Sequence, residues 1–335
     1  MDASLSTSSN PFDTLAQLAG GYCVARCLHV VAGIGLADHL EETPRSAEEL
    51  AAELQVHPEA LARMMRLLAA HGVFEVHEGA FKHSAASRLL RQDHPQSLKA
   101  FAKMFGLPVF WQIFEGLEHS LQTGRPAAEK VIPEGLWDYF GTHAEENRIF
   151  NAAMTSKSFG QAAGVMAAYD FSGFETIGDI GGGRGHLLAA VLQKAPNAKG
   201  ILFDLPNVVE DASELASDRL ELQAGNFFKD PLPACDGYLL MEIIHDWADE
   251  EAVKILKAIR QSAPEGAKLL VIEQLISPDQ GPHWSKMLDI HMLALLGGRQ
   301  RSLPEYQHLF EQSGFRLARM VPTVADVSIL EAVPV

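Results

Sequence analysis

Cysteine and positive charge are both scarce in this sequence of 335 residues. The three cysteines, Cys23, Cys27 and Cys235, are too few for a disulfide framework or a four-ligand metal cluster. We expect all three to be buried free thiols, as in proteins of a reducing compartment. These absences favour a cytoplasmic protein without a structural metal.

Acidic residues outnumber basic ones, with 43 Asp and Glu against 27 Lys and Arg, and the formal net charge is -16. Such a charge repels phosphate backbones and anionic lipid surfaces, which argues against nucleic acid and membrane partners. Residues 1–14 have no Lys or Arg before an apolar core, so they do not resemble a signal peptide. No stretch approaches the length of a membrane span, and we expect no membrane-spanning helix.

Helical periodicity dominates the chain from Phe12 to about Met166. The run 45–50 combines an N-cap with acidic residues in the first turn, which predicts a helix start. Two short alternating runs around Glu78 and Gly79 predict a β-hairpin. Two helices followed by a two-stranded ribbon outline a winged helix.

A winged helix often binds DNA through a basic, exposed recognition helix. In this chain that segment has only Arg63 and Arg66 beside many apolar positions. We therefore expect packing or dimerisation from this domain. A ligand-responsive DNA regulator is the non-enzymatic alternative, and the acidic charge argues against it.

From Phe171 onward, short apolar runs alternate with helical stretches. This alternation predicts an α/β domain whose mostly parallel sheet is covered on both faces and binds ligands at the carboxyl ends of its strands. The seven predicted strands are 176–180, 200–203, 220–224, 237–243, 268–272, 316–322 and 328–332.

A glycine-rich turn follows the first of these strands. In the run DIGGGRGH at 179–186, glycines occupy the alternate positions 181, 183 and 185 and also position 182, and an amphipathic helix begins directly after them. A nicotinamide dinucleotide fingerprint requires a third glycine where this chain has His186. Asp179 and the carbonyl groups of the turn suit a cationic amino-acid group better than a pyrophosphate.

Polar residues also follow the second and third strands. Asp204 lies about twenty residues beyond the glycines, within reach of a ribose diol. Asn226 and Phe227 supply an amide and an aromatic ring that can bind adenine. Three successive strand ends therefore predict a nucleoside site.

Over nearly its whole length, the chain resembles the caffeic acid and acetylserotonin O-methyltransferases, whose bacterial members act in secondary metabolism. The motifs that carry the resemblance are LWDYF at 136–140, FNAAM at 150–154, DIGGG at 179–183, DLP at 204–206 and HDW at 245–247. The resemblance implies a Rossmann-like catalytic domain of class I, S-adenosylmethionine (SAM) as cofactor and S-adenosylhomocysteine as product.

The same resemblance assigns roles to individual residues. His245 is the expected general base, since imidazole titrates near the working pH, and Glu273 and Gln300 flank it together with Asp246. Gln300 stands where the family has a glutamate, and Gln300 cannot offset a positive charge. The expected cofactor contacts are Asp179, Gly181, Gly183, Asp204, Leu205, Asn226, Phe227 and Met241, the last in place of a lysine of plant members.

For the substrate we expect a hydroxyl on a small aromatic metabolite, in a pocket that includes Trp137, Phe150, Met154 and Met292. No carboxylate cluster for magnesium is visible, and we expect no catalytic metal. The expected domains are a winged-helix dimerisation domain at 1–95, a helical linker and substrate segment at 96–165 and a SAM-binding domain at 166–335. The segment 20–40 is the expected homodimer contact, with Cys23 and Leu28 facing the partner.

One alternative within the family stays open. The departures at Gln300 and Met241 are compatible with an enzyme that binds SAM but catalyses another reaction, such as hydroxylation, decarboxylation or a pericyclic step. That enzyme would convert its substrate without forming S-adenosylhomocysteine, which separates the two hypotheses.

Overall fold

The computed structural model describes residues 10–335, which form two compact units. The first unit comprises the described residues up to Leu107 together with Ile149–Ser156, and the second comprises Pro108–Arg148 with Lys157–Val335. The prediction that residues 1–14 contain no signal peptide rests mainly on residues 1–9, which lie outside the described residues.

The first unit is mainly helical. The predicted helix start at 45–50 is confirmed, because Ser46 and Glu49 form a capping box. The predicted hairpin is also confirmed: its strands pair antiparallel, and Glu78 and Gly79 turn with φ angles of 51° and 83°. The elements of the first unit are α1 Pro11–Gly33, a 3-10 helix Leu36–His39, α2 Ala47–Leu54, α3 Pro58–Ala70, β1 Phe74–His77, β2 Ala80–His83, α4 Ala85–Arg88 and α5 Lys99–Phe105.

The expectation that all three cysteines are buried is wrong for two of them. Cys235 is buried, but Cys27 is only half-buried and Cys23 is exposed on α1. The four-residue spacing of Cys23 and Cys27 puts them on one side of α1, but it does not show which part of α1 the core of this unit covers.

The expectation that no stretch approaches a membrane span is also wrong by length and composition. Helix α1 has 23 residues and is apolar enough to cross a membrane. A single N-terminal helix of this kind is weak evidence for a membrane span. Its exposed apolar side chains are Phe12, Leu15, Leu18 and Tyr22. Leu28, expected to face a partner, packs against the core of its own unit.

The second unit contains a seven-stranded sheet with helices on both faces. Before the sheet come α6 Pro108–Glu115, α7 Leu117–Thr123, a 3-10 helix Ala127–Lys130, α8 Leu136–Thr142 and α9 Ala144–Ala168, part of which belongs to the first unit. The strands are β3 Thr176–Ile180, β4 Lys199–Asp204, β5 Leu220–Ala224, β6 Gly237–Met241, β7 Lys268–Glu273, β8 Phe315–Pro322 and β9 Ser328–Pro334. Between them lie α10 His186–Lys194, α11 Pro206–Asp211, α12 Asp249–Ser262, α13 Trp284–Leu295, α14 Leu303–Gln312 and the 3-10 helices Ser213–Leu215 and Ile244–Asp246.

The strand order is β5-β4-β3-β6-β7-β9-β8, with the first five strands parallel and β9 antiparallel to its neighbours. This confirms the predicted mostly parallel sheet, and each predicted strand end lies within two residues of the observed one. β4 and β5 lie on one side of β3, and β6 and β7 lie on the other. In α/β sheets such a change of direction leaves a crevice at the carboxyl ends of the two strands where it occurs, here β3 and β6.

Adjacent residues along the central strands pack on opposite faces of the sheet. Leu239 and Leu270 lie in the core beneath α10, whereas Leu240 and Val271 lie in the core beneath α12 and α14. All four are fully buried, and each such side chain contributes roughly 1.5–3 kcal/mol of transfer free energy. The two cores hold the strand ends, and therefore the crevice, in a fixed place.

Candidate active site

The glycine-rich turn after β3 is left-handed at alternate positions. Gly181 and Gly183 have φ angles of 71° and 58°, which other residues rarely adopt. A Cβ atom on Gly181 would lie 2.7 Å from Cδ1 of Ile243, whereas one on Gly183 would meet nothing within 4 Å. One side of the turn is therefore packed against the protein, and at Gly183 there is room for a ligand.

Asp179, near the end of β3, is a buried acid beside this turn. Its side chain is 1% exposed, and among the described residues its Oδ2 atom has no hydrogen-bond donor. Its pKa is raised to about 7, mainly by burial and to a smaller extent by the charge of Asp204. A carboxyl group in this state becomes more stable when a cation binds next to it.

Asp204 ends β4, and backbone donors hold its carboxylate in place. Oδ2 accepts a hydrogen bond from the N–H of Gly183 at 2.8 Å, and Oδ1 accepts one from the N–H of Leu205 at 2.7 Å. Burial nevertheless raises its pKa, against the effect of these two donors. Each oxygen keeps a further lone pair for a ligand hydroxyl, as a ribose diol requires.

The predicted adenine residues follow the next strands. Asn226 turns the chain after β5: its Oδ1 atom accepts a hydrogen bond from the N–H of Phe228 at 2.9 Å. The ring of Phe227 packs edge-to-face against Trp247, with centroids 5.8 Å apart. Met241 ends β6 and, like Asn226 and Phe227, is half-buried. These positions suit an apolar slot with a polar rim.

His245 lies in the 3-10 helix after β6 and is 4% exposed. The side-chain Nε2 atom of Gln300 lies 2.7 Å from its ring Nδ1 atom, and Oε2 of Glu273 lies 3.5 Å from the same nitrogen. The other ring nitrogen, Nε2, is 3.3 Å from Oδ1 of Asp246. The structure thus brings together all four residues predicted to be catalytic.

Burial dominates the electrostatics of this group. It lowers the pKa of His245 to about 4, so the imidazole is neutral at pH 7. It raises the pKa values of Asp246 and Glu273 well above their usual range. The amide nitrogen of Gln300 can only donate a hydrogen bond, whereas its Oε1 atom is buried without a partner among the described residues. With the amide turned by 180°, Oε1 accepts from Nδ1–H, and Nε2 of the neutral imidazole is free to accept a proton.

Backbone contacts fix the loop that carries His245. Arg301, 1% exposed, donates hydrogen bonds to the carbonyl groups of Ile244 at 3.0 Å and Trp247 at 2.8 Å. A Cβ atom on Gly298 would lie 2.0 Å from the carbonyl oxygen of His245. Sequence reasoning assigned Arg301 and Gly298 no role, although both lie within two residues of Gln300.

Sequence reasoning also missed an ion pair beside the histidine. Lys157 on α9 lies 2.7 Å from each carboxylate oxygen of Glu242, which directly follows β6. These residues are 85 positions apart, and no local pattern links them.

The four residues predicted to contact the substrate are divided between the two units. Trp137 in the first turn of α8 is 37% exposed, and Met292 on α13 is 7% exposed. Both lie in the second unit with His245, whereas Phe150 and Met154 are half-buried residues of the first unit. Their roles stay predictions. Across residues 10–335, no group of three or more His, Cys, Asp or Glu side chains is placed to hold a metal ion.

Comparison with known proteins identifies similar chains. An O-methyltransferase domain model matches residues 114–316, and an O-methyltransferase dimerisation domain model matches residues 16–93. The phenazine O-methyltransferase PhzM of Lysobacter antibioticus is 38% identical over 327 residues, which is 96% of both proteins.

Two solved structures of similar proteins contain SAM. Human N-acetylserotonin methyltransferase in complex with SAM is 26% identical, with a TM-score of 0.88 over 98% of this chain and 99% of that chain. The O-methyltransferase NcsB1 from neocarzinostatin biosynthesis, in complex with SAM and 2-hydroxy-5-methyl naphthoic acid, is 29% identical. Its TM-score is 0.83 over 98% of this chain and 100% of that chain.

Proposed function

The chain belongs to the O-methyltransferase family and is a SAM-dependent enzyme, and we propose that it methylates a hydroxyl group of a small aromatic metabolite with His245 as general base. The observation that carries this proposal is the buried imidazole of His245, 2.7 Å from the Gln300 amide at the carboxyl end of β6. An aromatic substrate is supported by a relative named as a phenazine O-methyltransferase and by a similar structure solved with a naphthoic acid.

The residues of the crevice fit the cofactor. We assign the amino group of SAM to the buried Asp179 carboxyl and the turn at Gly181 and Gly183, and its ribose to Asp204. The slot near Asn226, together with Leu205, Phe227 and Met241, is assigned to its adenine. When bound, SAM supplies an electrophilic methyl group on a sulfonium and leaves as S-adenosylhomocysteine.

The protein's own contribution is to move a proton and orient the reactants. A phenolic hydroxyl has a pKa near 10, so it attacks poorly until a base removes its proton. Nε2 of His245 takes that proton, while Nδ1–H donates to Oε1 of the turned Gln300 amide and faces Oε2 of Glu273 at 3.5 Å, which keeps the ring oriented. General base catalysis of this kind contributes typically 10²–10⁴-fold.

The substrate pocket and the assembly belong to the same proposal. Trp137 and Met292, which lie in the same unit as His245, are the proposed apolar contacts of the substrate, whereas Phe150 and Met154 stay predictions from the family resemblance. We propose a homodimer formed by the 1–95 domain, with 96–165 as substrate segment and 166–335 as catalytic domain. The match of residues 16–93 to an O-methyltransferase dimerisation domain and the exposed apolar residues of α1 support this assembly.

A calorimetric titration with SAM, followed by turnover on a panel of phenolic metabolites, tests the function. We expect S-adenosylhomocysteine and methylated product from the wild type and from the control His308→Ala, which alters an exposed histidine of α14. His245→Ala should bind SAM as tightly but lose at least about 100-fold in kcat. Substrate conversion without S-adenosylhomocysteine would instead identify the alternative reaction class.

A further inference from the structure

Glu242 occupies an unusual backbone position between β6 and the loop of His245. Its φ angle is 55°, a left-handed conformation that few residues other than glycine and asparagine adopt. Its N–H donates a hydrogen bond to the carbonyl of Ile272 at 2.9 Å, which anchors the turn to β7. A glutamate in a position where glycine would be unstrained raises the question of what its side chain contacts.

That side chain is held by a single partner helix. Nζ of Lys157 on α9 lies 2.7 Å from both carboxylate oxygens, and the two side chains are only 17% and 12% exposed. Gln161, one turn further along α9, also donates to the carboxylate. The pair is largely out of water, so its charges act strongly on neighbouring groups.

The charges around His245 come from several elements. Asp246 lies on the same 3-10 helix as His245, Glu273 lies on β7, and Arg301 and Tyr306 lie just before and on α14. Burial raises the pKa values of Asp246, Glu273 and Tyr306 well above their ordinary ranges, which favours their neutral forms.

Glu242 differs from these acids. Burial by itself raises the pKa of Glu242, but the charges of Lys157 and His245 hold it below its ordinary value. Glu242 is therefore the acid of this group that stays ionised. Gln300, which contacts the imidazole directly, carries no charge.

We propose that Glu242 is a positioning residue for the base: its carboxylate, oriented by Lys157, supplies the negative charge that stabilises protonated His245 and that Gln300 lacks. The proposal rests on His245 acting as the base of the proposed function. Removing the charge of Glu242 therefore lowers the proton affinity of His245, whereas changing only the length of the side chain does not.

The test compares Glu242→Asp with Glu242→Asn. Both short side chains tolerate a left-handed backbone, and they differ in charge alone, so a purely structural role would affect both equally. The matched control is Lys268→Gln, which breaks the pair between Lys268 and Glu331 at the opposite end of β7, about 17 Å along the strand.

The first readout is the protonation of His245, followed by NMR of histidine-labelled protein at pH 4.5 without substrate and assigned with His245→Asn. A pKa of about 4 means that about a quarter of the wild type is protonated at this pH. We expect a similar fraction in Glu242→Asp and the control, and about 3% in Glu242→Asn, since the loss of a nearby opposite charge shifts a pKa by about one unit.

The second readout is turnover at pH 7. We expect kcat to fall about threefold or more in Glu242→Asn, with KM unchanged and Glu242→Asp close to wild type, because a weaker base transfers the proton less readily. Equal protonation of His245 in the Asp and Asn variants would overturn the proposal. A charge-dependent protonation without any methyl transfer would retain the role of Glu242 while rejecting the proposed function.

Discussion

Replacing Asp179 by asparagine tests whether the buried acid of the glycine turn is kept for a bound cation. The side chain is 1% exposed, and its pKa is raised from 3.8 to about 7, mainly by burial. Asparagine keeps the size of the side chain and removes its ionisation. The variant should therefore gain stability and lose affinity for SAM.

The size of the effect follows from the shift of about three pKa units, which corresponds to about 4 kcal/mol. Below pH 3.8, Asp179 is protonated in both the folded and the unfolded chain, and the shift has no effect. As the pH rises to 7, the unfolded chain releases this proton while the folded chain retains it, so the free energy of unfolding falls. At pH 8, Asp179→Asn should be more stable than the wild type by up to about 4 kcal/mol, and at pH 4 nearly equal to it.

SAM affinity should show the complementary pH dependence. A bound ammonium group favours the ionised carboxylate, so the affinity of the wild type should rise up to tenfold per pH unit below about pH 7 and level off above it. In Asp179→Asn the binding should be weaker, by roughly 10–100-fold at pH 8, and independent of this titration.

Urea unfolding at pH 4 and pH 8, with calorimetric SAM titrations between pH 5.5 and 8, measures both effects. Asp211→Asn is the control, since that carboxyl is exposed on α11 and the change should alter neither quantity. A variant that is less stable than the wild type at pH 8, or that binds SAM equally well, would refute the assignment of Asp179.

Three further predictions concern the base, its loop and the assembly. Gln300→Glu places a carboxylate about 3 Å from Nδ1 of His245, so the pKa of His245 should rise above about 4 and kcat at pH 7 should increase several-fold. An unchanged pH profile would mean that the new acid is protonated. Gly298→Ala forces a Cβ atom to 2.0 Å from the His245 carbonyl and should cost about 1–3 kcal/mol in urea unfolding and at least tenfold in kcat, whereas Gly281→Ala, with open space around it, should do neither. Leu18→Glu on the exposed face of α1 should dissociate the dimer in light scattering, while Leu121→Glu, 85% exposed on α7, should not, and a dimeric Leu18→Glu would reject α1 as the contact.

The order of elements in the second unit could be predicted because its signals are local. Buried parallel strands appear as short apolar runs, and Gly181 and Gly183 stand where the backbone needs left-handed angles. The acids Asp179 and Asp204 lie at the carboxyl ends of β3 and β4, so the topology of an α/β sheet was enough to predict that they share one crevice. The hairpin at Glu78 and Gly79 could be predicted for the same local reason.

The first helix shows where such reasoning fails. Periodicity predicted α1, but exposure depends on which of its turns the rest of the chain covers. Cys23 was expected to be buried and is exposed, and Leu28 packs against its own unit. The apolar face left uncovered lies earlier in the helix, from Phe12 to Tyr22.

By itself, the sequence predicted the fold class, which is confirmed, and it pointed to the cofactor crevice and to His245 as the proposed base, since each depends on residues close together in the chain. Only the tertiary structure decided the charge state of that base. It buries His245, holds it through Gln300 and Arg301, and brings Lys157 to Glu242 across 85 positions. These contacts are long-range, and the pKa of a buried group depends on every charge and every loss of water around it.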